Sequence, residues 1–258
     1  YEQYMPESSC GEIINYSYYS ASFCEEYKLS EWTIYYSTKK RLSGSVSRTN
    51  NFRQDRSLKG KDAKLSDYKY SGYDRGHLVP AGDMKFNEIA MSVLFYMVNI
   101  TTQIPIFNRG RFKELESKFR KWVFEFDSII IVSGWVTTDV RHYIKGDVYS
   151  DEPGNSFIPI PNYFYKVFID PKNERSIAFL IPNEKITKGL LEYVVSIDHL
   201  EKITGLDFFY KLPDDVELSF EIDTGTKKQK TNPKKHIKEK GKREKNRGFN
   251  FNKSNKYK

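Results

Sequence analysis

Six apolar residues between positions 109 and 126 constrain this chain more than any other pattern in it. Phe112, Leu115, Phe119, Trp122, Val123 and Phe126 recur every three or four positions, so a helix over that span places them on one stripe that must be buried. Asn108 stands just before it, at the position from which a side-chain oxygen caps the first turn. The β-branched run Ile129-Ile130-Ile131-Val132 follows at once and predicts a buried strand leading to Gly134. Further strands are expected over residues 163–169 and 177–181, the second stopped by Pro182, with a last one over 206–210. Residues 196–204 predict a short helix, capped by Ser196 and closed by Gly205. Upstream, residues 12–23 predict one or two strands and 32–36 another. Polar residues 39–57 predict a loop, and 87–100 a buried helix entered through Asn87. Long helices interrupting a mixed or antiparallel sheet define an α+β fold.

At 258 residues the chain is long enough for one sizeable core. Its 19 Tyr and 18 Phe make that interior aromatic. No run of eighteen apolar residues exists, which excludes a membrane-spanning helix. The net charge of +8 is unevenly placed. Residues 226–258 hold fourteen Lys and Arg against two acids, leaving 28 basic against 32 acidic side chains, or −4, in residues 1–225. The expected organisation is therefore a folded domain over 1–225 and a disordered, lysine-rich tail over 226–258. The tail is either an arm attracted to a polyanion or simply a solvated terminus. Cys10 and Cys24 form one disulfide if the protein is exported, and stay reduced in a cytosol. The start at Tyr1 rather than Met fits removal of a leader.

Chemistry concentrates in Ser71-Gly72-Tyr73-Asp74-Arg75-Gly76-His77-Leu78-Val79-Pro80-Ala81-Gly82-Asp83, a glycine-rich loop carrying a titratable imidazole beside a guanidinium. Arginine offers a planar donor fork to phosphate, and histidine is readily poised as a general base near neutral pH. Downstream stand Asn99 and Asn108, then Glu116 and Arg120, four apart on one helical face. Glu116 lies at the edge of the apolar stripe and so needs a partner. His142, His199 and His236 have no such surroundings and read as structural or solvated.

Asp74-Arg75-Gly76-His77, Asn99-Ile100-Thr101-Thr102-Gln103, Asn108-Arg109-Gly110 and Leu115-Glu116, in that order, resemble the DNA/RNA non-specific endonuclease family. Ser71-Gly72-Tyr73, Ile160-Pro161, Thr204-Gly205-Leu206 and Leu212-Pro213-Asp214-Asp215 extend the likeness to about residues 11–216. The chain departs from that pattern at Thr102, commonly Pro, and at Phe112, commonly Trp. The resemblance implies a ββα-metal finger embedded in an α+β domain, and a Mg²⁺-dependent, sugar-non-specific endonuclease for which Mn²⁺ or another divalent ion substitutes. It matches His77 to the general base that activates water and Asn108 to the single protein ligand of the metal. Glu116 matches the acid that holds the metal through water, and Asn99 a supporting residue near the histidine. Arg75 and Arg120 match arginines near the phosphate, and Arg48 a further transition-state arginine. The implied partners are DNA and RNA, the products carry 5′-phosphates, and a homodimer is compatible. The implied location is secreted or periplasmic, with a mitochondrial or organellar site as the alternative. A different class of reading keeps the scaffold but not the chemistry, as a nucleic-acid-binding protein.

Overall fold

Apolar residues alternate along the long strands and so divide between two layers, one on each face of a sheet. In the computed structural model of the chain, residues 1–137, 143–145, 157–213 and 216 are described. His142, His236, Asp214, Asp215 and the tail expected over 226–258 lie outside the described residues. The early strands are β1 (Glu12–Asn15), β2 (Tyr19–Cys24), β3 (Leu29–Thr38), β4 (Asp74–His77) and β5 (Ile100–Gln103). Then come β6 (Ser128–Val136), β7 (Tyr143–Lys145), β8 (Phe157–Pro159), β9 (Tyr163–Asp170), β10 (Arg175–Pro182) and β11 (Val194–Val195). The α-helices are α1 (Lys39–Leu42), α2 (Glu88–Val93), α3 (Pro105–Phe107), α4 (Lys113–Phe126) and α5 (Ile197–Thr204).

One antiparallel sheet runs in the order β1-β2-β3-β6-β9-β10-β11, and β4 pairs separately with β5. Tyr35, Ile131, Phe164, Phe168 and Phe179 face the layer that α2 and α4 cover. Ile34, Ile130, Val132 and Val167 face the opposite layer, closed by Ile197 and Leu200 of α5. The result is α+β, as the patterning predicts.

The periodic stripe forms as α4. Phe112, Leu115, Phe119 and Val123 are buried, and Phe119, Trp122 and Phe126 all meet the Phe168 ring edge-on at 4.9–5.8 Å. Its start differs from the expected cap. Asn108–Phe112 makes one wide π-turn with non-helical backbone at Gly110, so Asn108 does not cap α4. The helix expected over 87–100 is also shorter. Asn87 Oδ1 accepts from Ala90 N as predicted, but Asn99 Nδ2 donates to the Leu94 carbonyl, and the chain turns back as β5. Residues 206–210 are not a strand. Phe209 adopts a positive φ of 64°, and Leu206, Phe208 and Phe209 turn inward to fill the second layer.

The strands expected over 12–23, 32–36, 163–169 and 177–181 form. The loop expected over 39–57 instead opens with the short helix α1, whose first turn Thr38 caps. In α5, Ser196 Oγ accepts from His199 N and Gly205 closes the helix at φ 73°. Cys10 and Cys24 are joined as a disulfide, with Cα atoms 5.4 Å apart. At the two departures from the family pattern, Thr102 Oγ1 donates to the Pro159 carbonyl at 2.7 Å and Phe112 stacks on Phe107. Among the described residues no helix is long and apolar enough to cross a membrane.

Removing the central ring of the stripe should leave a cavity against β9 and β10. Phe119→Ala is expected to lower the free energy of unfolding by about 3–5 kcal/mol with an unchanged urea m-value. A loss under about 1 kcal/mol would contradict its central placement.

Candidate active site

The hairpin of β4 and β5 pairs Asp74 with Gln103 and His77 with Ile100. The histidine expected in a loop therefore sits on a strand. A strand alternates its side chains, so Arg75 and His77 share one face and Asp74 and Gly76 the other. A Cβ at Gly76 would lie 2.1 Å from Gln103 Cδ, so glycine is what lets the Gln103 side chain lie across the strand. Four buried polar atoms without a hydrogen-bond partner sit on this ribbon: His77 Nε2, Thr101 Oγ1 and both amide atoms of Gln103. Such atoms are rare in folded proteins and call for a functional explanation.

Aromatic rings enclose His77. Phe95 stands edge-on to the imidazole at 4.9 Å, Phe52 lies at 5.6 Å, and the two phenyl rings meet at 4.9 Å. Arginines close the cage from outside, with the Arg75 guanidinium 4.3 Å from the Phe52 centroid and Arg48 5.0 Å from that of Phe95. Burial first, then the charges of Arg48, Arg75 and Lys166, push the His77 pKa down to about 3. The ring is neutral at working pH, and Nε2 is uncommitted.

Arg48, Arg75 and Asn108 line one open cavity of about 730 Å³, with Phe52 in its wall. Asn108 Nδ2 donates to Asp74 Oδ2 at 2.9 Å, while Arg109 grips the same carboxylate through two bonds of 2.6 and 2.8 Å. Burial works against the Asp74 charge, but the bonds from Arg109 and Asn108 outweigh it and hold its pKa below the usual range. With its amide nitrogen committed to Asp74, Asn108 keeps Oδ1 as an acceptor for a ligand.

Glu116 is nearly buried on α4, and burial pushes its carboxyl up. Its counter-charge is Lys166, whose ammonium lies 4.0 Å away and donates to the Leu78 carbonyl and Ser133 Oγ, each at 2.8 Å. Lys166 thereby ties the residue after His77 to the sheet and faces Glu116. Asn99 is fully buried. Its Oδ1 accepts from Val79 N and its Nδ2 donates to the Val79 and Leu94 carbonyls, so it clamps the chain behind His77.

Arg120 acts on Glu116 and Lys166 through its charge, but its hydrogen bond goes elsewhere. Its guanidinium donates at 2.7 Å to Asp83, a buried carboxylate that also accepts from Tyr35 Oη at 2.6 Å. Three contributors were not singled out from the sequence: Lys166, Phe52 as a ring against the imidazole, and Phe95. Lys166 did carry a signal, as a lone charge inside the apolar run Phe164-Tyr165-Lys166-Val167-Phe168.

The depressed His77 pKa has a stability consequence. Unfolded histidine takes a proton near pH 6.5 and the folded ring does not until about 3, so folding is favoured fully above 6.5 and progressively less as pH falls through that window. The loss approaches about 1.4 kcal/mol per pH unit. Across pH 7 to 4, urea unfolding should show the parent losing more stability than His77→Asn, which has no titration there. Parallel losses in both proteins would mean the ring is not held neutral.

Comparison with known proteins bears on the family and the fold. The sequence profile of the family described as DNA/RNA non-specific endonuclease matches residues 1–215. Mitochondrial nuclease EXOG of Mus musculus is 31% identical over 212 residues, covering 78% of this chain and 58% of that protein. The mitochondrial nuclease of Saccharomyces cerevisiae is 33% identical over 202 residues, covering 70% and 60%. The chain spans about three fifths of the length of these curated relatives. A crystal structure of the EndoG/EndoGI complex matches with a TM-score of 0.70 at 22% identity, over 82% of this chain and 90% of that one, which shows a shared fold. With a profile match that spans the folded strands and helices from β1 to α5, this chain belongs to the DNA/RNA non-specific endonuclease family.

Proposed function

We propose that the chain is a metal-dependent endonuclease that hydrolyses phosphodiester bonds of DNA and RNA. One observation carries the reading: a neutral histidine with a buried, unpartnered Nε2 is caged against Phe52 beside Arg48 and Arg75, and those three residues line a cavity together with Asn108 and its uncommitted amide oxygen. The donor set fits a hard cation. Asn108 Oδ1 is a neutral oxygen donor and Glu116 a carboxylate held close to Lys166. Among the described residues no group of three or more His, Cys, Asp or Glu is arranged as a metal cage. One amide oxygen with one nearby carboxylate suits Mg²⁺, which keeps several waters and takes few protein ligands; Mn²⁺ is a reasonable substitute. Asn108 would hold the ion directly and Glu116 through water. When bound, such a cation supplies positive charge for the phosphate oxygens and the departing oxygen.

Within this reading the protein's own groups divide the work. His77 Nε2 accepts the proton of the attacking water, which a neutral ring can do and an imidazolium cannot. Arg48 and Arg75 meet charge growing on the phosphoryl oxygens. Asp74, fixed by Arg109, holds Asn108 in the rotamer that leaves Oδ1 available. Lys166 and Asn99 hold His77 from behind. Arg120, committed to Asp83, supports α4 against the motif loop and lowers the Glu116 pKa through its charge. Departure of the 3′ oxygen leaves 5′-phosphate ends. These groups address backbone rather than base edges, so little sequence preference follows.

The ββα arrangement is read from β4, β5 and the helical segment that follows them. The mitochondrial names of the EXOG relatives favour an organellar location over export. The basic segment over 226–258 would add long-range attraction that a domain of charge −4 lacks.

His77→Ala should cut plasmid DNA at least about 100-fold more slowly than the parent while keeping its fold, and EDTA should stop the parent. The ends released by the parent should carry 5′-phosphate and ligate without kinase treatment. Undiminished cutting by pure His77→Ala, or nucleic-acid binding by the parent with no EDTA-sensitive cleavage, would defeat the proposal, the second outcome pointing to a binding module.

A further inference from the structure

The geometry points to a base-stacking subsite at Tyr70 that selects an unpaired nucleotide next to the bond being cut. Tyr70 is 93% exposed, the most open large apolar side chain among the described residues. Its backbone takes φ 60°, a region that bulky L-residues rarely occupy. The surrounding turn holds that conformation. Lys69 N donates to the Ser66 carbonyl, and Ser71 donates through both N and Oγ to the Tyr68 carbonyl. Tyr73 N donates to Ser71 Oγ, and Gly72 takes a second positive φ, of 82°. Tyr68, which anchors the turn, is buried and donates from its phenol to the Ile100 carbonyl of β5. A strained backbone on a hydrogen-bonded turn, used only to push an aromatic ring into water, calls for a ligand.

The ring's place says which ligand. The turn leads directly into β4, and Tyr70, Tyr73 and Lys69 line the same cavity as Arg48, Arg75 and Asn108. One recess thus carries phosphate-binding cations and an open aromatic face. The Lys69 ammonium, 4.9 Å from the Tyr70 centroid, adds positive charge beside that face. A nucleotide whose phosphate sits among the arginines has its base within the same recess, and every base offers a π-face to stack. In a duplex both faces of a base are already covered by its neighbours, so the ring engages only an unpaired base. The subsite rests on the nuclease reading for the position of the phosphate, and it takes single-stranded or frayed nucleic acid without regard to base identity.

Binding separates the two ideas. Fluorescence anisotropy of a labelled single-stranded oligodeoxynucleotide, and of its duplex, is measured on the full chain carrying His77→Ala in Mg²⁺ buffer. Adding Tyr70→Asn, which removes the ring but suits a left-handed backbone, should weaken single-strand binding by about tenfold, the scale of one lost base stack. Duplex binding should change by less than about twofold, and Tyr70→Trp should bind the single strand as the His77→Ala parent does, since stacking needs only an aromatic face. Unchanged single-strand affinity in Tyr70→Asn, an equal loss on the duplex, or a Trp variant as weak as Asn overturns the subsite. Failure of the nuclease reading shows elsewhere, as a chain with intact His77 that cuts nothing.

Discussion

A short polar ribbon holds a buried imidazole in place only if something rigid anchors it, and here two buried side chains do so. Lys166 ties the Leu78 carbonyl to β6, and Asn99 closes three hydrogen bonds across Val79 and Leu94. Both are almost wholly inaccessible, so the alternative to these bonds is not water but unpaired polar groups in an apolar layer. The positions of His77, the phenylalanine cage and the arginines depend on that anchoring. Lys166 has a second effect. As the counter-charge to Glu116, it opposes the rise in pKa that burial imposes.

Burial acts on the two titratable groups with opposite sense for function. It keeps His77 neutral, as the proposed base would need, and it tends to neutralise Glu116, which the proposed water-mediated hold on a cation would have to resist. Positive charge from Arg48 and Lys166 helps on both counts, lowering the histidine and lowering the glutamate. The same arginines that would meet phosphate therefore also tune the base before any substrate arrives.

Much of this was legible in the sequence, for definite reasons. The stripe from Phe112 to Phe126 forms because its spacing leaves one face that only burial satisfies. The runs around Ile130, Val167 and Phe179 form because β-branched and aromatic residues suit a covered sheet. The ordered motif set carried His77, Asn108 and Glu116 together. What failed to show did so because tertiary contacts decide it. Asp74-Arg75-Gly76-His77 has no strand propensity and becomes a strand only by pairing with β5. Asn108 does not cap α4 because the π-turn over Asn108–Phe112, with its non-helical backbone at Gly110, moves the start of α4 to Lys113. Arg120 pairs with Asp83, a buried carboxylate within reach of its guanidinium. Residues 206–210 have the composition of a strand, but the second layer needed filling more than the sheet needed an edge.

The central claim is that a phenylalanine cage with flanking cations keeps one imidazole neutral and unpartnered, and it can be read without substrate. Following the ring carbon and nitrogen shifts of His77 by NMR from pH 8 downward, the account predicts no protonation above about pH 5 in the folded protein, because burial and neighbouring cations both disfavour the charged ring. A titration midpoint near 6.5, the value of an exposed histidine, would contradict it.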